Sequence, residues 1–148
     1  MTLKEGADMA YTQIYVNLPV ADLEVSKKVY TALGGTINPQ FTDDTSAQVV
    51  LTQAIAVQLM THEHFANFTK RQVAEGPVEV INALAARSRE EVDQLAEAAL
   101  AAGAVEPRPA QDLGWLYNRA IDDPDGHSWE LLSYDPSATG DDPAAGRD

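Results

Sequence analysis

The chain has 148 residues, no cysteine, three histidines, and 10 basic against 23 acidic residues, giving a formal charge of −13. These counts exclude disulfides, thiolate metal sites and a cysteine nucleophile, leaving His, Asp and Glu as the strong metal ligands. A field of this sign repels phosphate backbones and anionic membranes, so neither nucleic acid nor a membrane is an expected partner, and the mild pull on cationic small molecules competes with a bland role in solubility. No run approaches the length of a membrane span and no basic region precedes an apolar core at the N-terminus, so a cytoplasmic location is expected.

Residues 1–10 show no sustained period and read as a loose lead-in. From 11 to 20 the sequence YTQIYVNLPV alternates, with Ile14, Val16, Leu18 and Val20 on one face and Gln13, Tyr15 and Asn17 on the other, which predicts a half-buried strand. Asp22 is an N-cap candidate, and Leu23, Val29, Tyr30 and Leu33 form a helical stripe that stops at Gly34-Gly35. Residues 36–41 and 48–52 read as short strands around the polar turn 42–46. A further strand at 55–61 turns Val57 and Leu59 one way and Ala56, Gln58 and Met60 the other. The first module, 11–61, is therefore β-α-β-β-β, and 62–77 is a connector with a short helix. His62 and His64 lie in that connector without a convergent third ligand, so an exposed corner is the plainer reading.

From 78 the order of elements repeats. Residues 78–86 read as a strand; Ser88 and Glu91 form a capping box for a helix carrying Val92, Leu95, Ala96, Ala99 and Leu100, which stops at Gly103. At 105–111 Pro107 and Pro109 confine a strand to an edge or make it irregular. The hairpin 116–134 turns at Asp123-Pro124-Asp125-Gly126, where Asp125 is expected to bond the backbone ahead of it and Gly126 to take positive φ. On its outgoing strand Trp129, Leu131 and Ser133 share one face, Ser128, Glu130 and Leu132 the other. The second module spans 78–136, and 137–148 is expected to be a disordered acidic tail.

Three segments in this order, LPVADLEVSKKVYTALGG, SREEVDQLAEAALAAGA and DPDGHSWELL, resemble the vicinal oxygen chelate superfamily, which includes glyoxalase I, bleomycin-resistance proteins and extradiol dioxygenases. The resemblance spans about residues 11–136 and implies an α+β fold: two tandem βαβββ modules forming an incomplete β-barrel or cup with helices on the outside. It also implies where a metal would sit. The family's first-strand His falls at Tyr15, its first-module Glu at Gln58, its second-module His or Glu near Ile81, and its final Glu at Glu130. Glu79 is the nearby substitute for Ile81, and two carboxylates without an imidazole do not make a tight transition-metal site. No metal ligand set and no cofactor is expected; a weakly bound, water-rich divalent metal is left open.

Two functional classes follow from the resemblance. One is a metal-free binding module whose cup takes a small organic molecule against Tyr15, Asn17, Gln58, Met60 and Glu130, with Phe41, Trp115, Tyr117 and Arg119 near the mouth. The plainer readings are that Phe41, Met60 and Tyr117 are core residues, that Trp115 covers an edge and that Arg119 is a salt-bridge partner. The other class is a metal-dependent lyase, isomerase or dioxygenase-like enzyme, with Glu130 as catalytic base or lone metal anchor and Tyr15 as hydroxyl donor. Glu130 could equally only tie the modules together through hydrogen bonds. A symmetric homodimer is the expected assembly, with the cup completed within one chain or across two.

Overall fold

A computed structural model describes residues 9–135 and 137. The lead-in at 1–8 and, Ser137 apart, the tail expected at 137–148 lie outside the described residues. The elements run β1 (Ile14–Val20), α1 (Leu23–Ala32), β2 (Thr36–Asn38), a 3-10 turn (Pro39–Phe41), β3 (Ser46–Thr52), β4 (Ile55–Thr61), α2 (His62–Phe65), β5 (Ile81–Ala85), α3 (Arg89–Ala101), β6 (Gln111–Asp112), β7 (Leu116–Asp122) and β8 (Ser128–Tyr134). They form the two βαβββ modules of the expected α+β fold, and neither sheet closes into a barrel.

The helices begin and end where the sequence provides caps. Asp22 Oδ1 accepts from the Val25 amide at 3.1 Å, and Ser88 Oγ accepts from the Glu91 amide at 3.1 Å. The return arm of the expected capping box is shifted by one residue, because Glu91 Oε1 accepts from the Arg87 amide at 3.0 Å while its other oxygen holds the Arg87 guanidinium. Both long helices close with the same pair of backbone bonds. After α1, Gly34 N–H donates to Thr31 O and Gly35 N–H to Tyr30 O; after α3, Gly103 N–H donates to Leu100 O and Ala104 N–H to Ala99 O. This closure needs a left-handed residue, and Gly34 (φ 103°) and Gly103 (φ 121°) supply it without a side-chain clash.

Sheet one has the order β1-β4-β3-β2 and sheet two β5-β8-β7-β6. The repetition extends to register: Tyr15 lies beside Ala56 and Asn17 beside Gln58, as Ile81 lies beside Ser128 and Ala83 beside Glu130. One face of each sheet is covered by its own helix, and these two covered faces share a single core. Val49, Val57 and Leu59 of sheet one, Val29 and Tyr30 of α1, Val92, Ala96 and Ala99 of α3, and Ile121, Trp129 and Leu131 of sheet two belong to one cluster. The other face of each sheet carries no helix of its own module.

The β7–β8 turn locks the modules together. Asp123, rather than Asp125, organises the turn, its Oδ1 accepting from the Asp125 amide at 2.9 Å and the His127 amide at 2.8 Å. Its second oxygen accepts from the buried Tyr30 hydroxyl at 2.6 Å, and that hydroxyl accepts from the Trp129 indole N–H at 3.0 Å. Tyr30 and Trp129 also meet edge to face, with centroids 5.7 Å apart. Asp125 reaches across instead, accepting from Ala21 N–H at 2.8 Å, and His127 Nε2 donates to the Pro19 carbonyl at 2.7 Å.

Several expected boundaries shift for local reasons. β2 ends at Asn38, because Pro39 starts a 3-10 turn that Asn38 caps. β3 starts at Ser46 because Asp43 Oδ1 gathers the amides of Thr45 and Ser46 and shortens the turn. β5 begins at Ile81 rather than 78, and the expected strand 105–111 reduces to a bridge from Val105 to Asp122 and the two-residue β6. Pro107 and Pro109 have no N–H to give a ladder.

Tyr30→Phe leaves a buried carboxylate oxygen and an indole N–H short of a partner, so urea denaturation should show a loss of about 1–3 kcal/mol. Burial raises the Asp123 carboxyl above its ordinary 3.8, opposed by the Tyr30 hydroxyl and the turn amides. A raised folded-state pKa stabilises below the unfolded value and the benefit is lost as pH rises through the folded one. The stability of wild type relative to Asp123→Asn should therefore fall with rising pH across that acid window, measured by denaturation at a series of pH values.

Candidate functional site

On sheet one, the face turned away from α1 carries a rank of four carboxamides. Register places Asn17 beside Gln58, Gln58 beside Gln48, and Gln48 beside Asn38, one from each strand. The direction of the bonds along the rank is set by the backbone. Gln40 N–H donates to Asn38 Oδ1 at 3.1 Å, so Asn38 Nδ2 donates onward to Gln48 Oε1 at 2.9 Å. Gln48 Nε2 donates to Gln58 Oε1 at 3.3 Å, and Gln58 Nε2 donates to Ser46 Oγ at 2.5 Å and to the Phe41 carbonyl at 3.4 Å. Beside this rank lies an open groove of about 910 Å³ lined by Tyr15, Asn38, Phe41, Gln48, Val50 and Ala56 among others. Tyr15 and Phe41 are 48% and 54% exposed there, and the Tyr15 hydroxyl donates to Gln13 Oε1 at 2.6 Å.

On sheet two the corresponding face is charged. Glu130 stands in register between Ala83 of β5 and Ala120 of β7, two small side chains. Its Oε2 meets Arg108 Nη2 at 3.5 Å, with the two side chains 25% and 39% exposed. The same Nη2 donates to Asn118 Oδ1 at 2.6 Å, and Asn118 Nδ2 donates to Gln111 Oε1 at 3.1 Å. Sequence reasoning missed Arg108, which lies in an irregular segment with no period. The available signal was a basic residue held between two prolines, next to an edge strand, in a strongly acidic chain.

Of the expected lining residues, Tyr15, Asn17, Gln58 and Met60 share the helix-free face of sheet one, although Met60 is 5% exposed and only Tyr15 lines the groove. Glu130 occupies the equivalent face of sheet two, so one chain does not gather the set around a single cavity; the shared core separates the two faces. Tyr117 and Arg119 require correction. Arg119 lies opposite Leu131 and Tyr117 opposite Ser133, so they share a side with Ile121 and point toward α3, away from Glu130. Tyr117 donates to Asp93 Oδ1 at 2.6 Å, which raises its pKa, and the Arg89 guanidinium sits 5.0 Å from its ring centroid. Arg119 is a salt-bridge centre between Glu106, Glu97 and Asp93, at 2.9, 2.9 and 3.1 Å. Trp115 borders a separate cleft with Arg87, Arg89 and Tyr134. Glu79 precedes β5 in irregular backbone, and His64 packs edge to face on Phe68 at the exposed corner after β4.

The positions where the resemblance places the family's metal ligands, Tyr15, Gln58, the neighbourhood of Ile81 and Glu130, offer one carboxylate, itself facing a guanidinium. Among the described residues no group of three His, Asp or Glu side chains is placed to hold a metal ion. This donor set does not fit a tightly held divalent ion. Because Arg119 works on the helix side, Arg119→Leu should lower the urea midpoint by leaving Glu97 and Glu106 without their guanidinium partner, while Asp93 keeps the Tyr117 hydroxyl.

The comparisons with known proteins agree with the fold. A hypothetical protein from S. aureus is 28% identical with a TM-score of 0.72, covering 86% of this chain and 97% of its own. A glyoxalase/bleomycin resistance protein from Albidiferax ferrireducens T118 is 27% identical with a TM-score of 0.62, covering 82% and 97%. Lactoylglutathione lyase from Agrobacterium tumefaciens shares the fold at 16% identity, with a TM-score of 0.63 over 85% of this chain and 95% of that one. No curated protein matches the chain. The family model that matches spans residues 12–131, four-fifths of the sequence and both modules. The chain belongs to the Glyoxalase/Bleomycin resistance protein/Dioxygenase superfamily.

Proposed function

We propose that this protein binds a small organic molecule between a carboxamide face and a charged face of the two sheets, without a tightly held metal. The observation that carries the reading is the replacement chemistry at the ligand positions. Gln58 is spent in a neutral hydrogen-bonded rank, and Glu130 faces Arg108. An amide oxygen is a weak ligand, and a divalent ion at Glu130 would have to compete with a guanidinium. Metal-dependent lyase, isomerase or dioxygenase chemistry finds no support in this donor set, and no step is assigned to Glu130 as a catalytic base.

The binding site is completed by a second copy of the chain. β1 and β5 are unpaired edges of their sheets, and they carry exposed apolar residues: Ile14 at 55%, Tyr15 at 48% and Ile81 at 60%. Exposed apolar edges of this kind favour pairing with another strand. In a twofold dimer with β1 of one protomer against β5 of its partner, the carboxamide face of each would stand opposite the Arg108–Glu130 face of the other, making two sites. Aromatic walls with a few polar groups suit a small organic ligand.

Native mass spectrometry of protein incubated with Ni, Mn, Zn and Fe(II) tests the metal half of the reading. Neither wild type nor Glu130→Gln should retain stoichiometric metal; a metal held by wild type and lost from the variant would reverse the conclusion. Light scattering tests the assembly: wild type should run as a dimer and Ile81→Lys as a folded monomer. A fragment screen followed by thermal shift should give binders whose effect is lost in Tyr15→Ala and in Gln58→Ala.

A further inference from the structure

We infer that Arg108 is the specificity-determining residue of this site, and that the ligand is a zwitterion of the α-amino-acid class, its carboxylate taken by Arg108 and its ammonium by Glu130. The inference rests on the binding reading above and adds the ligand's chemistry to it.

The guanidinium is oriented mainly by neutral groups. Arg108 Nη2 donates to Asn118 Oδ1 at 2.6 Å and Nη1 donates to the Pro109 carbonyl at 3.2 Å, whereas the Glu130 carboxylate is 3.5 Å away. A charge-assisted bond at full strength is several tenths of an ångström shorter. The pair is therefore close enough for its charges to hold each other and loose enough for a ligand to enter between them. Of the five N–H donors a guanidinium carries, these contacts use three, leaving donors for an incoming oxyanion.

The backbone holds Arg108 ready for this. Pro107 and Pro109 fix φ on either side of it, and Pro109 restricts Arg108 to extended conformations. Two residues upstream, Glu106 grips Arg119 on the helix side of sheet two at 2.9 Å. The segment is thus anchored on one face of the sheet by Glu106 and on the other by Arg108, and little ordering remains to be done on binding.

The adjacency of the two charges selects the ligand class. A simple carboxylate would meet Glu130 and the chain's charge of −13, both repulsive. A simple amine would meet Arg108. A molecule carrying a carboxylate and an ammonium on one carbon satisfies both charges, and the side chains flanking Glu130, Ala83 and Ala120, are small. Its side chain would project toward the facing groove with Tyr15 and Phe41.

Calorimetry on the intact protein with three probes tests this: L-phenylalanine, its hydroxy analogue phenyllactate, and phenylalaninamide. Wild type should prefer L-phenylalanine over both analogues by about tenfold, the scale of one charge-assisted hydrogen bond. Arg108→Met should lose the preference over the amide, and Glu130→Gln the preference over the hydroxy acid. Arg108→Lys, which keeps the charge without the fork, should retain part of the affinity and keep the fold comparable. Equal binding of the three probes to wild type, or an unchanged preference in Arg108→Met, would overturn the inference. If neutral fragments bind with Tyr15 and Gln58 dependence while L-phenylalanine does not, the amino-acid class fails and the binding reading stands. Absence of any binder defeats both.

Discussion

A single buried hydroxyl holds the two halves of this chain in their relative place. Tyr30 belongs to α1, its donor bond goes to Asp123 in the turn of the second module, and its acceptor bond comes from Trp129 on β8. Packing alone is tolerant of small slides between apolar surfaces, but a hydrogen-bond relay among fully buried groups is not. The same turn then sets the start of α1 through Asp125 and the end of β1 through His127. The relative position of the two helix-free faces, and so any geometry they offer a ligand, descends from this relay.

The two faces are structurally equivalent and chemically unlike. The register that puts Gln58 beside Asn17 puts Glu130 beside Ala83, yet one position continues a chain of neutral amides and the other faces a guanidinium. The two modules therefore share a backbone arrangement while the side chains at corresponding positions differ in chemistry. Family membership fixes the fold, and the side chains at these four positions carry the functional reading.

Much of the fold was legible because period, caps and stops coincided. Asp22, Ser88, Gly34 and Gly103 mark both helices, and alternation marks β1, β4 and β8. The site was less legible. Tyr117 and Arg119 lie on the helix side because the loop runs from 123 to 127, which pairs Ala120 with Glu130 and Arg119 with Leu131. Arg108 escaped because it carries no periodic signal, and its importance arises from Asn118 and Glu130, distant in sequence by 10 and 22 residues. Spacing along a chain reports which face a strand residue occupies, not which loop folds over that face.

The carboxamide rank has a further consequence. A lone Asn or Gln side chain can rotate half a turn and exchange donor for acceptor. Here Gln40 N–H pins Asn38 at one end of the bonded row and the Phe41 carbonyl pins Gln58 at the other, so the row cannot reverse without breaking bonds to the main chain. The surface consequently has a head and a tail. A molecule lying along it would meet a different bonding pattern at each end, and because no carboxamide titrates, this sense of direction persists over the whole pH range in which the protein stays folded.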